Sequence, residues 1–391
     1  MNVHSETDHV ALEEPLTDAT AKPQVTLGLP SGLARGERRF PLTPEGAAQL
    51  IDRNIAVKME RGAGATIHYP DAAYERVGVD VCERAQTLRA EIIIGPAALS
   101  AAEARTLRRG TVLLTMFSAL TDHKPFAQAL LDARVNVVAA DLICHDGHRL
   151  VSDILHEIDG CASIAIASAL LTDPIHGKGI LLGGVTGIVP CEVTVLGSGM
   201  GAIAAAHNAI GLGATVRMFD GDVYSLRNAS RVLNNAAIAS APHPRVVSSA
   251  LQTADVVVVT PMRVPMVFGV DDIARLKRRA LIFDLTGSPG TTFPGIPVVD
   301  LAAPSVQNIE AAQDRVCYTN VGCRVTRTAA MAMSNALVAN FDVLTSMFGS
   351  LADIAPAMQP AVVMLWGRCM NPACAEMLGT RPLDIKFFTG N

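Results

Sequence analysis

The chain has 391 residues, of which 50% are hydrophobic and 18% charged, and its formal net charge at pH 7 is -5. This length allows two domains with separate cores, and the mildly acidic balance disfavours partners such as nucleic acid or an anionic membrane surface. No unbroken apolar run reaches the length of a membrane span and the N-terminus lacks an apolar signal core, so we expect a cytoplasmic protein.

The first 23 residues are polar and acidic and show no periodicity that would bury one face, so we expect a disordered tail. From residue 24, short apolar runs alternate with segments of helical composition as far as the strand NVVAADLI. Thr43 and Pro44 suit the N-cap and the first turn of the first helix in this region. Alternating strands and helices predict a parallel sheet covered on both faces.

A long apolar helix, CASIAIASALLTD, follows the segment LVSDILHEIDG and leads to a second alternating region. Its later strands are predicted at VVSS, DVVVVT, ALIFDL and IPVVD, and the chain from Arg327, including PAVVMLWGRCMNPACAEMLG, is predicted to be helical. The fold class is therefore α/β, with two Rossmann-like doubly wound domains, a cleft between them and C-terminal helices packing back on the first domain. We expect residues 24–152 with 327–391 to bind the substrate and residues 153–326 to bind NAD.

One turn in the second region carries the clearest chemical signal. It reads Gly197-Ser198-Gly199-Met200-Gly201-Ala202, between the strand ending at Leu196 and an alanine-rich helix. This is the G-x-G-x-x-A form of the dinucleotide fingerprint. Gly197 permits the tight turn, Gly199 lets a pyrophosphate approach the backbone, and Ala202 keeps the helix close to the sheet.

An acidic residue follows the fingerprint at the expected distance. Asp220 ends the next strand, roughly 20 residues on, where a carboxylate accepts hydrogen bonds from an adenosine ribose and repels a 2′-phosphate. With Thr260 at the end of DVVVVT added to the candidate cofactor-binding residues, the pattern predicts NAD as the cofactor. The alternative is a glycine-tolerant turn in an α/β sheet that binds no nucleotide.

The cysteines and histidines give no sign of a metal. The eight cysteines include no CxxC pair and lie mostly in apolar segments, which predicts free buried thiols in a reducing compartment. No His, Cys or Asp spacing resembles a set of metal ligands, so no metal site is predicted.

Three separated motifs together resemble the alanine dehydrogenase family: the loop ERRFPLTP, the approach GGVTGIVP to the fingerprint, and the segment NVGCRVTRTAAMAMSN. That family also includes the NAD-binding part of proton-translocating transhydrogenase and the lysine-forming saccharopine dehydrogenases. The resemblance covers about residues 24–380. It implies an NAD-dependent oxidoreductase that acts on an amino acid or the matching keto or imino acid, assembled as a homo-oligomer, either a dimer or a hexamer.

The resemblance also implies roles for two residues. In the family loop E-x-R-V-x-L-T-P the arginine grips the substrate carboxylate, and Arg39 matches it; a guanidinium can hold a carboxylate through two parallel hydrogen bonds. Arg39 could instead pair with an acidic residue of the protein. The asparagine of the family segment N-M-P-G-x-x-P-R-T lies near the nicotinamide and the substrate, and Asn320 matches it, with a loop-stabilising role as the alternative.

Other family positions differ in this chain. The lysine of a K-x-K-E-P stretch is missing from Ile92–Pro96, and the catalytic histidine after an apolar strand corresponds to Ser118 or a neighbour. The second acid of a D-x-x-x-D-Q-G-G run is Ser288, and the run M-S-E-x-A-G reads LHEIDG at Leu155–Gly160. We therefore do not expect ordinary alanine dehydrogenase activity. A preformed imine, which needs less acid catalysis from the protein, is a candidate substrate.

Hydride transfer to or from an amino acid carbon needs a group that moves a proton near the working pH, and histidine is the first candidate type. His156 should lie between the domains and is our leading catalytic candidate, with a cofactor-phosphate or interdomain hydrogen bond as its alternative. His68 is a further candidate, whereas His145 and His148 favour a solvated turn.

Two other functions stay open at this stage. One is a catalytically degenerate NAD(H)-binding protein, which would bind NADH tightly and turn over no amino acid. The other is an enzyme that uses NAD with a redox-neutral outcome, such as elimination or cyclisation, which would form product without a net change in NADH absorbance.

Overall fold

The computed structural model describes residues 25–32, 37–97, 99–145, 147–175, 177–302, 315–346 and 354–389. The predicted N-terminal tail, residues 1–23, lies outside these described residues. Two sheets with helices on their faces organise the described chain, which confirms the predicted α/β fold.

The first region builds a parallel sheet. Its strands are β1 (Val25–Leu29), β2 (Ile55–Glu60), β3 (Asp80–Cys82), β4 (Ile92–Ile94), β5 (Val112–Thr115) and β6 (Asn136–Ala139). Its helices are α1 (Pro44–Asp52), α2 (Asp71–Glu75), α3 (Arg84–Thr87), α4 (Ala101–Thr106), α5 (Phe117–Thr121) and α6 (Lys124–Asp132). The strand order is β6-β5-β4-β1-β2-β3. The predicted cap of α1 is confirmed, because the Thr43 hydroxyl accepts a hydrogen bond from the Gly46 N–H at 3.3 Å.

A hairpin and a long helix connect the first region to the second. The hairpin pairs β7 (Cys144–His145) with β8 (His148–Arg149), and both of its histidines are exposed, as expected of a solvated turn. The next helix, α7 (Ser152–Thr172), is continuous, so the segment LVSDILHEIDG belongs mostly to this helix rather than preceding it. Within the described residues, α7 alone is long and apolar enough to cross a membrane, by length and composition only.

The second region builds a seven-stranded sheet in which every pair is parallel. Its strands are β9 (Glu192–Leu196), β10 (Thr215–Phe219), β11 (Ile238–Ser240), β12 (Val256–Val259), β13 (Leu281–Asp284), β14 (Val298–Asp300) and β15 (Val316–Thr319). Their order is β11-β10-β9-β12-β13-β15-β14. The helices are α8 (Met200–Gly211), α9 (Val223–Val232), α10 (Pro244–Thr253) and α11 (Val270–Arg275).

The predicted strand VVSS is wrong, because these four residues lie inside α10. Pro244 stands in the first turn of that helix, where its fixed φ favours helix initiation. Val247, Ala250 and Leu251 are buried at helical spacing, so Val247 contributes to an apolar helix face rather than to a strand.

The C-terminal part returns to the first sheet. Its elements are α12 (Thr326–Ala339), α13 (Phe341–Thr345), β16 (Val362–Leu365), β17 (Arg368–Cys369), α14 (Pro372–Leu378) and α15 (Lys386–Thr389). The prediction that PAVVMLWGRCM is helical is wrong, since β16 pairs antiparallel with both β6 and β17. Trp366 and Gly367, at φ 48° and 78°, form the two-residue left-handed turn that such a hairpin favours. The first sheet therefore has eight strands.

The C-terminal helices pack on the first sheet, as predicted. α12 contacts α1 so closely that a Cβ atom on Gly46 would lie 2.1 Å from the Ser334 hydroxyl oxygen. Leu337 and Phe341 join the same buried apolar cluster as Leu27. Within the described residues, the chain thus passes between the two sheets twice, once through α7 and once from β15 into α12, and these two helices contact each other.

Candidate active site in the cleft between the sheets

The fingerprint turn has the backbone that a bound pyrophosphate requires. Gly197 has a φ of 111°, and a Cβ atom there would lie 2.1 Å from the Thr260 hydroxyl oxygen, so this position needs glycine. A Cβ atom on Gly199 would meet nothing within 4 Å, which shows open space over the start of α8. The first N–H groups of a helix lack intrahelical partners and attract anions, so this turn fits a dinucleotide.

Asp220 lies at the carboxyl end of β10, as the fingerprint requires, and is 5% exposed. Its carboxylate accepts hydrogen bonds from the Ser198 hydroxyl at 2.7 Å and from the Asp222 N–H at 2.9 Å. The Ser198 hydroxyl also lies 2.8 Å from the Ser225 hydroxyl. These bonds tie Asp220 to the turn, and because a carboxylate has about four acceptor positions it keeps capacity for a ribose hydroxyl.

Thr260 supports the turn from behind. Its side chain is 1% exposed, and its hydroxyl donates to the Leu196 carbonyl at 3.1 Å. The structure therefore shows Thr260 holding the end of β9 against Gly197, with its hydroxyl engaged by the protein.

The helix α7 packs directly on the first turn of α8. A Cβ atom on Gly160 would lie 2.3 Å from the Gly201 carbonyl oxygen, and one on Gly201 would lie 2.9 Å from the His156 carbonyl oxygen. Glycines at both positions allow this close approach. As a result, the backbone of α7 determines where the nucleotide turn lies.

A polar cavity of about 300 Å³ lies where the carboxyl edges of the two sheets face each other. The first sheet contributes Pro96 after β4 and Ser118 after β5, and the second contributes Asp300 at the end of β14 and Asn320 after β15. The other lining residues are Glu37, Arg39, Ala97, Ala119, Asp122, His123 and Cys323. Arg39 and Asn320, predicted from separate motifs, are therefore brought together in one cavity.

Arg39 pairs with Glu37, an acidic residue of the protein, as in the alternative to substrate binding. Its Nε and Nη2 donate to the two carboxylate oxygens of Glu37 at 2.9 and 2.7 Å. Burial lowers the pKa of Arg39, but the neighbouring carboxylates of Glu37 and Asp159 raise it above its ordinary range, so the guanidinium stays charged. Because a guanidinium has five N–H donors, it retains donors for a ligand.

Asp159 is an acidic neighbour of Arg39 that the sequence analysis did not select. Burial raises the pKa of this α7 carboxyl, opposed by the Arg39 charge and by a hydrogen bond from the Gly322 N–H. A Cβ atom on Gly322 would lie 2.4 Å from Asp159 Oδ1, so the loop after β15 can approach the carboxylate only with glycine there. The available signal was an aspartate in the LHEIDG run, directly before the apolar part of the helix.

Asn320 both occupies a tight loop conformation and lines the cavity. Its φ of 54° and ψ of 40° are left-handed, a conformation that asparagine tolerates better than most residues, and its carbonyl accepts from the Cys323 N–H at 3.1 Å. Its side chain is exposed and lines the cavity. Burial raises the pKa of the Cys323 thiol to about 11.

Neither His156 nor His68 lines this cavity. His156 is on α7, where its Nδ1 lies 3.5 Å from the Ser152 hydroxyl. Of the lining residues that the structure describes, one is a histidine, His123, which was not among the sequence candidates, and none is a lysine. The sequence signal for His123 was its position five residues after Ser118, in the segment between β5 and β6.

The turn, the strand-end carboxylate and the adjoining cavity define a dinucleotide-binding α/β protein with a small-molecule cleft. A model of the alanine dehydrogenase/PNT N-terminal domain matches residues 28–158, and a model of the C-terminal domain of the same family matches residues 163–372. The chain therefore belongs to the alanine dehydrogenase/PNT family, which confirms the resemblance. NAD is the coenzyme of this family, and the turn described above fits it.

Individual relatives agree with this assignment. The chain is 28% identical to alanine dehydrogenase of Bacillus subtilis (strain 168) over 319 residues, which cover 80% of this chain and 83% of the relative. It is also 28% identical to alanine dehydrogenase of Mycobacterium tuberculosis over 324 residues, covering 79% and 85%.

Two solved structures share the fold. An L-alanine dehydrogenase superposes with a TM-score of 0.79 at 20% identity, covering 90% of this chain and 99% of that one. A transhydrogenase from Sinorhizobium meliloti superposes with a TM-score of 0.72 at 18% identity, covering 89% and 99%. At these identities the structures support the two-sheet fold alone.

Proposed function

We propose that the protein is an NAD-dependent oxidoreductase that acts on an amino acid or the matching keto or imino acid. One observation carries the proposal: a single cavity combines the Arg39 guanidinium with Asn320, at the carboxyl edge of the sheet that bears the fingerprint turn. Ligands of open α/β sheets bind at this edge. In this proposal residues 24–152 with 327–391 hold the substrate, and residues 153–326 hold NAD.

The strand order sets the distance between the fingerprint turn and Asn320. β9, which leads into the turn, is separated from β15 by β12 and β13, so the turn and Asn320 lie about 14 Å apart along the edge at the usual strand spacing. When bound, NAD exchanges a hydride with the substrate carbon. Arg39 orients the substrate carboxylate, and the Asn320 amide donates to a carbonyl oxygen of the substrate or of the carboxamide.

The composition of the cavity favours a substrate other than alanine or pyruvate. Among the described residues, its lining offers one guanidinium, already bonded to Glu37, and no lysine to polarise a ketone. The carbon of an imine becomes electrophilic once its nitrogen takes a proton, without a lysine. We therefore propose a preformed imine, or the secondary amine that its reduction yields, as the preferred substrate pair.

The test combines binding and turnover. Calorimetry with NADH should show saturable binding, and NADH oxidation should be faster with a cyclic imino acid such as 1-pyrroline-2-carboxylate than with pyruvate and ammonium. Arg39→Gln should raise KM for the imino acid roughly 10- to 100-fold, because a hydrogen-bonded charge contributes about 1.5–3 kcal/mol. The control is Arg38→Gln, which removes the exposed neighbouring guanidinium and should leave KM unchanged.

Two results would separate this proposal from its alternatives. NADH binding without turnover of any keto or imino acid would favour a catalytically degenerate binding protein, which the Glu37–Arg39 pairing makes the second candidate. Product formation without a net change in NADH absorbance would favour redox-neutral chemistry. Absence of NADH binding by the folded protein would overturn all three.

We also propose a cytoplasmic homo-oligomer, a dimer or a hexamer. The segment that leads into β9 exposes several large apolar side chains, including Ile188 and Val189 at 69% and 84% exposure. Such exposed apolar surface is common at subunit contacts. Light scattering of the purified protein measures the subunit number, and a monomer at micromolar concentration would contradict this proposal.

A further inference from the structure

We propose that His123 donates the proton that completes the reduction of a carbon–nitrogen or carbon–oxygen double bond in the cavity. This inference rests on the proposed function and assigns its missing proton donor. Among the described residues that line the cavity, His123 supplies the one imidazole. His123 lines the same cavity as Arg39 and Asn320, the two groups proposed to orient the substrate.

The backbone fixes His123 at the start of α6. Its carbonyl accepts hydrogen bonds from the Phe126 N–H at 2.9 Å and from the Ala127 N–H at 3.1 Å, and the preceding Asp122 N–H donates to the Ser118 carbonyl at 2.9 Å. The His123 side chain makes no cap hydrogen bond to the helix and is exposed in the cavity wall. The ring is therefore available to a ligand while its backbone is held.

The rival proton donors of the cavity are less suitable. The carboxylate of Glu37 accepts two hydrogen bonds from Arg39, and an oxygen of Asp300 accepts one from the Ala302 N–H at 2.8 Å. The Cys323 thiol has its pKa raised to about 11 by burial, so it holds its proton near neutral pH. Imidazole is the side chain whose ordinary titration range lies nearest neutral pH.

The step balances as follows. For a neutral imine or a ketone, the substrate carbon gains a hydride from NADH, the π electrons of the double bond move onto nitrogen or oxygen, and that atom takes the proton from the His123 imidazolium. The products are the amine or alcohol, NAD and neutral imidazole, which recovers a proton from solvent. Oxidation of the amine runs the same transfers backwards, with neutral imidazole as the base.

Charged groups from several elements surround His123. Glu37, Arg39, Asp122 and Asp300 line the same cavity, and Lys124 follows His123 on α6. Reduction requires imidazolium, so its rate should fall as pH rises through the titration range of the ring. Oxidation requires neutral imidazole, so its rate should rise over that same range.

The test uses the full chain with NADH and 1-pyrroline-2-carboxylate, or with NADH, pyruvate and ammonium. His123→Gln should lower kcat for reduction by roughly 10²- to 10⁴-fold, remove the alkaline fall of the pH profile, and leave the Kd for NADH within about threefold. The control is His243→Gln, which removes an exposed imidazole at the start of α10 and should change none of these. Free imidazole should partly restore turnover to His123→Ala.

A measurement that needs no turnover tests the role of His123 separately from the proposed function. In protein with ¹⁵N-labelled histidine, the His123 ring signals should shift when pyruvate and NAD, a non-reacting pair, are added together. Wild-type protein that is inactive with both probes overturns the proposed function and this inference together. An active wild type with an equally active His123→Gln variant, or with unmoved His123 signals, overturns the inference alone.

Discussion

The contact between α7 and α8 yields a prediction in which stability and cofactor affinity change together. In Gly160→Ala the new Cβ atom would lie 2.3 Å from the Gly201 carbonyl oxygen, whereas ordinary contacts begin at 3.4 Å. Because the carbonyl oxygen belongs to the backbone, it cannot rotate out of the way as a side chain could. The helices α7 and α8 must therefore separate by about 1 Å. The first turn of α8, which holds the fingerprint, would move with it.

The expected magnitudes follow from that displacement. Overpacking of a close helix contact costs about 1–3 kcal/mol, and the better helix propensity of alanine returns up to about 1 kcal/mol. The free energy of unfolding should therefore fall by about 1–2 kcal/mol. Misplacing one N–H group that binds the pyrophosphate should weaken NADH binding roughly tenfold or more, because a hydrogen bond to a charged group contributes about 1.5–3 kcal/mol.

Urea unfolding and NADH calorimetry measure the two effects in the same samples. The matched control is Gly211→Ala at the end of α8, where a Cβ atom meets nothing within 4 Å. That variant should be as stable as the wild type or up to about 1 kcal/mol more stable, with unchanged NADH affinity. If Gly160→Ala kept both the stability and the affinity of the wild type, the proposed coupling between this contact and the turn would be refuted.

Two further predictions concern the first sheet and the cavity. Burial raises the pKa of Glu103, but hydrogen bonds from Arg84 and a serine lower the pKa to about 2. The ionised Glu103 therefore stabilises the folded protein above the ordinary pKa of a glutamate, and this contribution is lost as pH falls towards 2. Glu103→Gln should cost about 1 kcal/mol at pH 7 in urea melts and less at pH 3, and an equal cost at both would contradict this. Gly322→Ala, with its Cβ 2.4 Å from Asp159, should raise substrate KM at least tenfold in steady-state kinetics, whereas Gly287→Ala should leave it unchanged.

The sequence predicts the nucleotide turn well because its cause is local. A φ of 111° at Gly197 excludes other residue types through the sterics of a few consecutive residues, and the cap at Thr43 likewise depends on a residue three positions away. The alternation of strands and helices is a repeated local pattern of the same kind. These features specify the two parallel sheets without knowledge of distant contacts.

Other features depend on distant partners and were missed for that reason. β16 forms because the edge of β6 accepts it, and the composition of VVML alone does not separate a strand from a buried helix. The charge environment of Arg39 includes Asp159, which lies 120 residues further along the chain. His123 reaches the cavity only because the ends of β5 and β15 face each other across the cleft.

The double passage of the chain between the sheets constrains how the cleft can open. The two described crossings, α7 and α12, touch each other. If the cleft opens, rotation about this contact would strain the two connections least. Sliding or twisting of one sheet past the other would strain one crossing or the other. Arg39 and Asn320 would accordingly separate and return along a single arc, so each closure would restore the same spacing between the groups proposed to hold the substrate.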